Sequence, residues 1–296
     1  MDTRLLHYFT VLTRVGNITQ AATELHTTQP TLSRQLKDLE DEVGAQLFIR
    51  GKRAITLTDA GVLFEQRAQT ILNVVDQTKR DIHSQATGLA GTIRLGCVES
   101  KLSAHVADWI AAFQETHPNV YFSLYGADGN SIRRQMDRGN LDVGFLLEPV
   151  ESAKYFAHAI PVTETWGLIM AKNAPLASHD AITGSDLQGL RLIAPRRQIV
   201  QNQIATWLRV DLDSLNFCGD RNLENNMLPL MIHHDYYDIG IDGVLSFYAD
   251  DQLAFVPFAP NSQTRHTMIW RKGHTPSPTA QAFIDFVTTQ IRAMPL

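Results

Sequence analysis

Residues 18–57 read ITQAATELHTTQPTLSRQLKDLEDEVGAQLFIRGKRAITL, and their spacing sets the architecture of the N-terminal part of the chain. Residues 19–25 suit a short helix, with Thr19 as the expected cap and the small pair Ala21 and Ala22 letting a second helix approach closely. After a turn at His26 and Thr27, Thr28 suits an N-cap and Pro30 a first helical turn. Leu32, Leu36 and Leu39 then recur at i, i+4 and i+7 as a buried stripe. The opposite face carries Gln29, Thr31, Ser33, Arg34 and Lys37, side chains of the chemistry and reach that contact base edges and phosphates from a helix in the major groove. Gly44 ends the helix. Two short strands, residues 47–49 and 54–57, then flank Arg50, Gly51, Lys52 and Arg53, a basic hairpin placed as a wing. A small helical domain with a solvated charged loop would account for each element singly; their order and spacing together favour DNA binding.

These residues resemble a LysR-type transcriptional regulator. The resemblance rests on Ala21, Ala22, Leu25, His26, Gln29, Pro30, Leu32, Ser33, Gln35, Leu39 and Glu40. It continues through Leu47, Phe48, Arg50, Arg53, Leu57, Thr58, Ala60 and Gly61. It implies an α/β protein with an N-terminal winged helix-turn-helix at residues 1–58, a linker helix and hinge at 59–90, and an effector domain at 91–296. The effector domain would resemble a periplasmic binding protein, with one lobe at about 91–160 and 267–296 and the other at about 161–266.

Charge supports segregation rather than a uniformly basic domain. The chain of 296 residues carries a net charge of −5, and residues 1–60 hold seven basic and seven acidic side chains. Arg34, Lys37, Arg50, Lys52 and Arg53 stand against Asp38, Glu40, Asp41 and Glu42, which predicts one basic face on a neutral domain. Residues 58–85 read as the next helix, capped by Thr58. Phe64, Ala68, Ile71, Val75, Thr78 and Ile82 recur at alternating spacings of four and three, a seam that predicts pairing with a second copy. A homodimer or tetramer follows, the linker helix joining two DNA readers as the resemblance implies.

Past the hinge at residues 87–91 the pattern changes to strand, helix, strand, helix, strand over residues 92–98, 102–116, 120–125, 130–138 and 141–147. That order argues for a parallel sheet, whose ligands sit at the carboxyl ends of strands. Further strands are expected at 165–171, 191–194, 239–242, 253–257 and 267–271, and a last helix at 279–293. The resemblance implies chain crossings between lobes near Ile160 and His266, and a small-molecule effector in the cleft. Ser100 stands where the family has an effector-binding Ser or Thr; it also reads as an ordinary N-cap. Lys101, Asp128 and Glu148 lie in loops after the first three strands, and Arg196, beside Arg197, precedes a helix running to Leu208. Paired arginines at a helix start suit a carboxylate or phosphate, although solvated loops carry them too.

Other chemistries find little support. His233, His234, Asp235 and Asp238 are metal-ligand types, but adjacent histidines diverge on either a helix or a strand, so no metal or cofactor is expected. No nucleophile elbow, zinc-protease helix, P-loop or dinucleotide fingerprint occurs, and catalysis is not expected. Cys97 and Cys218 read as small buried side chains rather than a redox pair. The start of the chain is amphipathic and no apolar run reaches bilayer length, which predicts a cytoplasmic protein without membrane contact. The competing class is a small-molecule binding protein of the two-lobed type with no DNA function, which would have no use for Pro30, Ser33, Arg34 and the wing.

Overall fold

The computed structural model describes residues 1–51, 54–87, 89–223, 226–247 and 252–295; the side chains of residues 77, 80–87 and 247 are outside the description. The chain forms two units, one of Met1–Thr87 with Arg138–Asn140 and a second holding Gly88–Asp137 and Leu141–Leu296.

In the first unit α1 (Thr3–Val15), α2 (Ile18–Glu24) and α3 (Gln29–Val43) enclose a core of Phe9, Leu12, Ala21, Ala22, Leu32, Leu36 and Leu39. Asn17, not Thr19, caps α2, its side chain accepting from the amides of Thr19 and Gln20. Thr28 caps α3 through the Thr31 amide, and the helix ends at Gly44. The strands β1 (Phe48–Arg50) and β2 (Ile55–Leu57) pair antiparallel. Glu40, counted above with the acidic run, turns inward instead: its Oε1 accepts the amides of Leu47 at 2.7 Å and Phe48 at 3.2 Å, fixing the hairpin to α3. Thr58 caps the 29-residue α4 (Asp59–Thr87) through the Gly61 amide. A Cβ on Gly61 would lie 1.8 Å from the Leu47 carbonyl oxygen, so only glycine lets α4 start this close to the hairpin.

The expected seam of α4 divides. Ala68 is 1 % exposed and Phe64 packs edge-on against Phe9 at 5.2 Å, so the first two positions serve the chain's own core, which would otherwise leave the Phe9 ring uncovered. Among the described residues Val62 and Leu63 before them and Ile71 and Val74 after them are the large apolar side chains of α4 left exposed. Ile82 lies outside the described side chains.

The second unit is built on a nine-stranded sheet. Its strands are β3 (Gly91–Cys97), β4 (Val120–Gly126), β5 (Val143–Leu147), β6 (Tyr155–Ala171), β7 (Leu192–Pro195), β8 (Phe217–Arg221), β9 (Tyr237–Ile241), β10 (Leu253–Pro257) and β11 (Gln263–Arg271). The order is β4-β3-β5-β11-β6-β9-β7-β8, with β10 also on β6. The parallel triplet β4-β3-β5 is covered by α5 (Leu102–Thr116), α6 (Gly129–Asp137) and α9 (Pro278–Ala293), around Val106, Phe113, Phe145, Phe283 and Val287. A second core of Leu168, Leu192, Ile204, Ile239 and Phe258 lies under α7 (Gln198–Leu208). Among the described residues only β6 and β11 take part in both halves: their antiparallel register slips between Arg265, opposite Thr163, and His266, opposite Ile160. The apolar alternation at 165–171 therefore marked only the end of a 17-residue strand. β8 and α8 (Leu228–His233) had no clear sequence signal.

Among the described residues no helix is long and apolar enough to cross a membrane, and no group of three His, Cys, Asp or Glu could hold a metal ion. In the second core Asp238, fully buried on β9, receives the Nε of buried Arg221 at 2.8 and 3.0 Å, and Arg221 also donates to the Ile239 carbonyl. Removing one member of a buried ion pair is costly because the other keeps its desolvation penalty. Asp238→Ala should therefore destabilise this unit by about 3–5 kcal/mol, read as a lowered urea midpoint.

Candidate nucleic-acid interface and lobe cleft

Burial of Leu32, Leu36 and Leu39 forces the other face of α3 outward. Gln29, Thr31, Arg34 and Lys37 are exposed, and Ser33 is half-buried at the edge. Thr31 and Thr28 share a hydroxyl hydrogen bond of 2.8 Å. Ser33 accepts from Gln29 Nε2 at 3.0 Å and from Arg50 on β1 at 3.2 Å, so helix and hairpin present one polar surface. Among the described residues Arg34 and Lys37 form no ion pair or hydrogen bond. Lys52 and Arg53 lie outside the described residues.

In the second unit the predicted cleft residues separate. Ser100, which precedes α5, is fully buried and its hydroxyl lies 2.9 Å from His266 Nε2. His266 Nδ1 lies 2.9 Å from the Val162 carbonyl oxygen, which can only accept. Nδ1 thus carries the hydrogen, and Ser100 donates to Nε2 of a neutral ring. Burial, with smaller contributions from the charges of Lys101 and His105, holds the imidazole down at about 4, in keeping with that tautomer.

Glu164 on β6, also fully buried, stands 3.6 Å from the same His266 Nε2. Its Oε1 accepts the Lys101 amide at 2.7 Å, and its Oε2 accepts the Gly243 amide at 3.0 Å. A Cβ on Gly243 would fall 2.4 Å from Oε2, so glycine is required for this approach. Burial first, and then the hydrogen bond to Asp242, push the Glu164 carboxyl up to about 8. Burial alone would raise Asp242 as well, but hydrogen bonds from Lys101, Glu164 and the Thr165 amide hold it below the usual carboxylate range. Lys101 Nζ meets Asp242 at 2.6 Å. Ser100, His266 and Glu164 do not form a nucleophilic triad: the carboxyl faces the nitrogen that Ser100 already uses, and no hydroxyl surface is exposed.

The other three predicted residues have different roles. Asp128 caps α6, accepting from the amides of Asn130 and Ser131 and from the Ser131 hydroxyl at 2.6 Å. Arg196 is exposed and paired with Asp220 at 2.6 Å. Glu148 accepts the Thr267 hydroxyl at 2.9 Å and lines a polar pocket of about 680 Å³ with Thr163, Gln203, Thr264 and Arg265. Arg197, rather than its neighbour, faces the first half of the sheet: it donates to the carbonyls of Pro149 at 2.7 Å and Leu147 at 3.4 Å, and its buried Nε has no hydrogen-bond partner. Sequence reasoning passed over Glu164, Asp242 and His266; the available signal was a charged or polar residue interrupting an apolar strand, where burial demands partners.

Profiles of two known families match the chain: "Bacterial regulatory helix-turn-helix protein, lysR family" over residues 3–62 and "LysR substrate binding domain" over residues 86–292. The chain is 27 % identical to the Hca operon transcriptional activator HcaR of Escherichia coli K12 over 303 residues, covering 99 % of both proteins. It is also 27 % identical to the transcriptional regulator AlsR of Bacillus subtilis over 230 residues, 77 % of this chain and 73 % of that one. Its fold is similar to full-length CbnR solved with its target DNA, with a TM-score of 0.74 at 21 % identity over 98 % of this chain and 99 % of the other.

The two thiols differ from expectation in one respect: Cys97 is buried, but Cys218 is exposed on the edge strand β8. Burial pushes the Cys97 thiol up to about 12, which leaves almost no thiolate at neutral pH. Iodoacetamide at pH 8 should modify Cys218 and spare Cys97 in the native protein, with both reacting after unfolding, as read by peptide mass spectrometry.

Proposed function

The chain belongs to the LysR family of bacterial transcriptional regulators, and on that premise we propose which of its residues read DNA, join two copies and hold the effector. The reading chiefly rests on the polar face of α3, left outward by the buried Leu32, Leu36 and Leu39 and continued through Ser33 to Arg50. Gln29, Thr31, Ser33, Arg34 and Lys37 enter the major groove, while Arg50, Lys52 and Arg53 of the wing contact the flanking backbone. The binding-protein reading without DNA function has no role for this surface.

Arg34→Ala should cost about 1–3 kcal/mol of operator binding if the guanidinium reads a guanine, and should narrow the gap between operator and random DNA. Lys52→Ala should weaken binding to all sequences alike and reduce the salt slope by about one unit. Fluorescence anisotropy across a salt series measures both. Unchanged operator binding by an Arg34→Ala, Ser33→Ala double mutant would remove α3 as the reader.

Two copies pair through α4, using the exposed Ile71 and Val74 rather than the internally packed Phe64 and Ala68. Aspartate at both exposed positions should place like charges in the contact and separate the copies in sedimentation.

A small, anionic effector is held between the lobes. Support comes from Arg197 at the start of α7, where no side chain caps the helix and where it donates to the Pro149 carbonyl, and from Arg265, which lines the same polar pocket as Pro149. Arg196, engaged by Asp220, is a control position in this scheme. Calorimetry against simple dicarboxylates and sugar phosphates should find binding weakened in Arg197→Ala and retained in Arg196→Ala; the reverse order would overturn the assignment. Effector binding shifts the DNA-bound geometry only to the extent that it favours one lobe arrangement over another.

A further inference from the structure

Glu164 lies where a ligand carboxylate would be expected. Its carboxyl fills the start of α5, accepting the Lys101 amide from one lobe and the Gly243 amide from the other. Glu164 is itself fully buried beside a second carboxyl, Asp242, with the Lys101 ammonium as the cation that bridges the lobes. The titratable groups facing it are Lys101 just before α5, His266 from β11 and Asp242 at the exit of β9. His105, one turn along α5, bears on His266, and Glu99 in the preceding loop has Arg221 as its charged neighbour.

We propose that Ser100, His266, Glu164, Asp242 and Lys101 form a proton-binding site, and that closure of the two lobes over it takes up a proton in neutral to mildly alkaline solution. Two adjacent carboxyls with one ammonium between them are compatible with burial when one carboxyl keeps its hydrogen. In the closed arrangement Glu164 donates to Asp242 while its oxygens still accept the two amides. When the lobes part, water reaches both carboxyls and Glu164 ionises in the ordinary range.

The sign follows from linkage. Closed, Glu164 stays protonated up to about 8 and His266 stays neutral down to about 4. Open, the two titrate near their ordinary 4.5 and 6.5. Between pH 4.5 and 6.5 the open form therefore moves one proton from Glu164 to His266, the proton count is equal, and closure is independent of pH. Between 6.5 and 8 the closed form holds more protons than the open one, and because His266 is half titrated at one end of the interval and Glu164 at the other, the closure constant falls about eightfold across it. The ionisation of Asp242 belongs to more acid solution and leaves this window unaffected. A ligand that binds only the closed form loses affinity by the same factor of about eight over that range.

The consequence for transcription rests on the regulator reading, but the test does not. Hydrogen exchange of the Lys101 and Gly243 amides in the full chain, without effector or DNA and corrected for intrinsic rates, reports the opening constant. It should rise about eightfold from pH 6.5 to 8 in the parent and show no rise in Glu164→Gln. A level profile in the parent, or an unchanged rise in Glu164→Gln, overturns the proposal. Infrared spectra of the parent should independently show a protonated carboxylic acid that is lost as pH passes about 8 and is absent from Glu164→Gln; no such titration also overturns it. Should Glu164→Gln fail to fold, Asp242→Asn removes the hydrogen bond and charge that raise Glu164 and must move the infrared titration to lower pH. A titration that does not move rules the pair out. Failure of these measurements leaves the α3 reading untouched, since that stands or falls on DNA binding by Arg34→Ala.

Discussion

The effector-binding unit depends on one buried carboxyl. Glu164 draws the Lys101 amide just before α5 and the Gly243 amide past the end of β9 onto its two oxygens, so elements from both halves of the sheet take their positions from one side chain. The surrounding choices follow from that position. Gly243 has no Cβ because the carboxyl leaves no room, and Asp242 turns to Lys101 and the Thr165 amide. Ser100, placed beside His266, is spent on satisfying a neutral ring rather than left open to a ligand. A hydrocarbon at position 164 would leave two main-chain donors buried and unpaired, so this polar cluster cannot be trimmed one member at a time.

The N-terminal unit relies on the opposite principle, an apolar stripe with short polar ties. Three leucines fix the rotation of α3 about its axis, and so decide which side chains remain in water. Glu40 and the Ser33 to Arg50 contact then hold the hairpin against that helix from two sides. The two contact surfaces consequently move as one body, and the spacing between helix and wing is built in before any nucleic acid arrives.

Much of this was legible in the sequence where periodicity and local chemistry agree. The Leu32, Leu36 and Leu39 stripe, the Thr28 and Thr58 caps and the strand-helix alternation after residue 91 read directly, because each is determined by neighbours in the chain. Asn17 was passed over for Thr19 since both are good caps and only the local backbone decides between them. The cleft was far less readable. Ser100 and Lys101 were found, but Glu164, Asp242 and His266 approach them from 63 to 166 residues away, a closeness created by strand order alone. The preference for Arg197 over Arg196 likewise turns on which way one helix start faces, and adjacent residues of the same type carry no mark of that.

The long strands β6 and β11 also determine how the two halves can move. A pair of hydrogen-bonded strands resists stretching and in-plane shear but yields to torsion, and the slip at Arg265 and His266 lies opposite Pro161 and Val162, which have no register partners there. The soft coordinate of the unit is therefore a twist about the axis of that ribbon, with the buried cluster on the axis as its stop. A torsional spring of this kind converts a sub-ångström change at its pivot into an arc that grows with distance, so the outer edges of the sheet, β4 and β8, travel furthest.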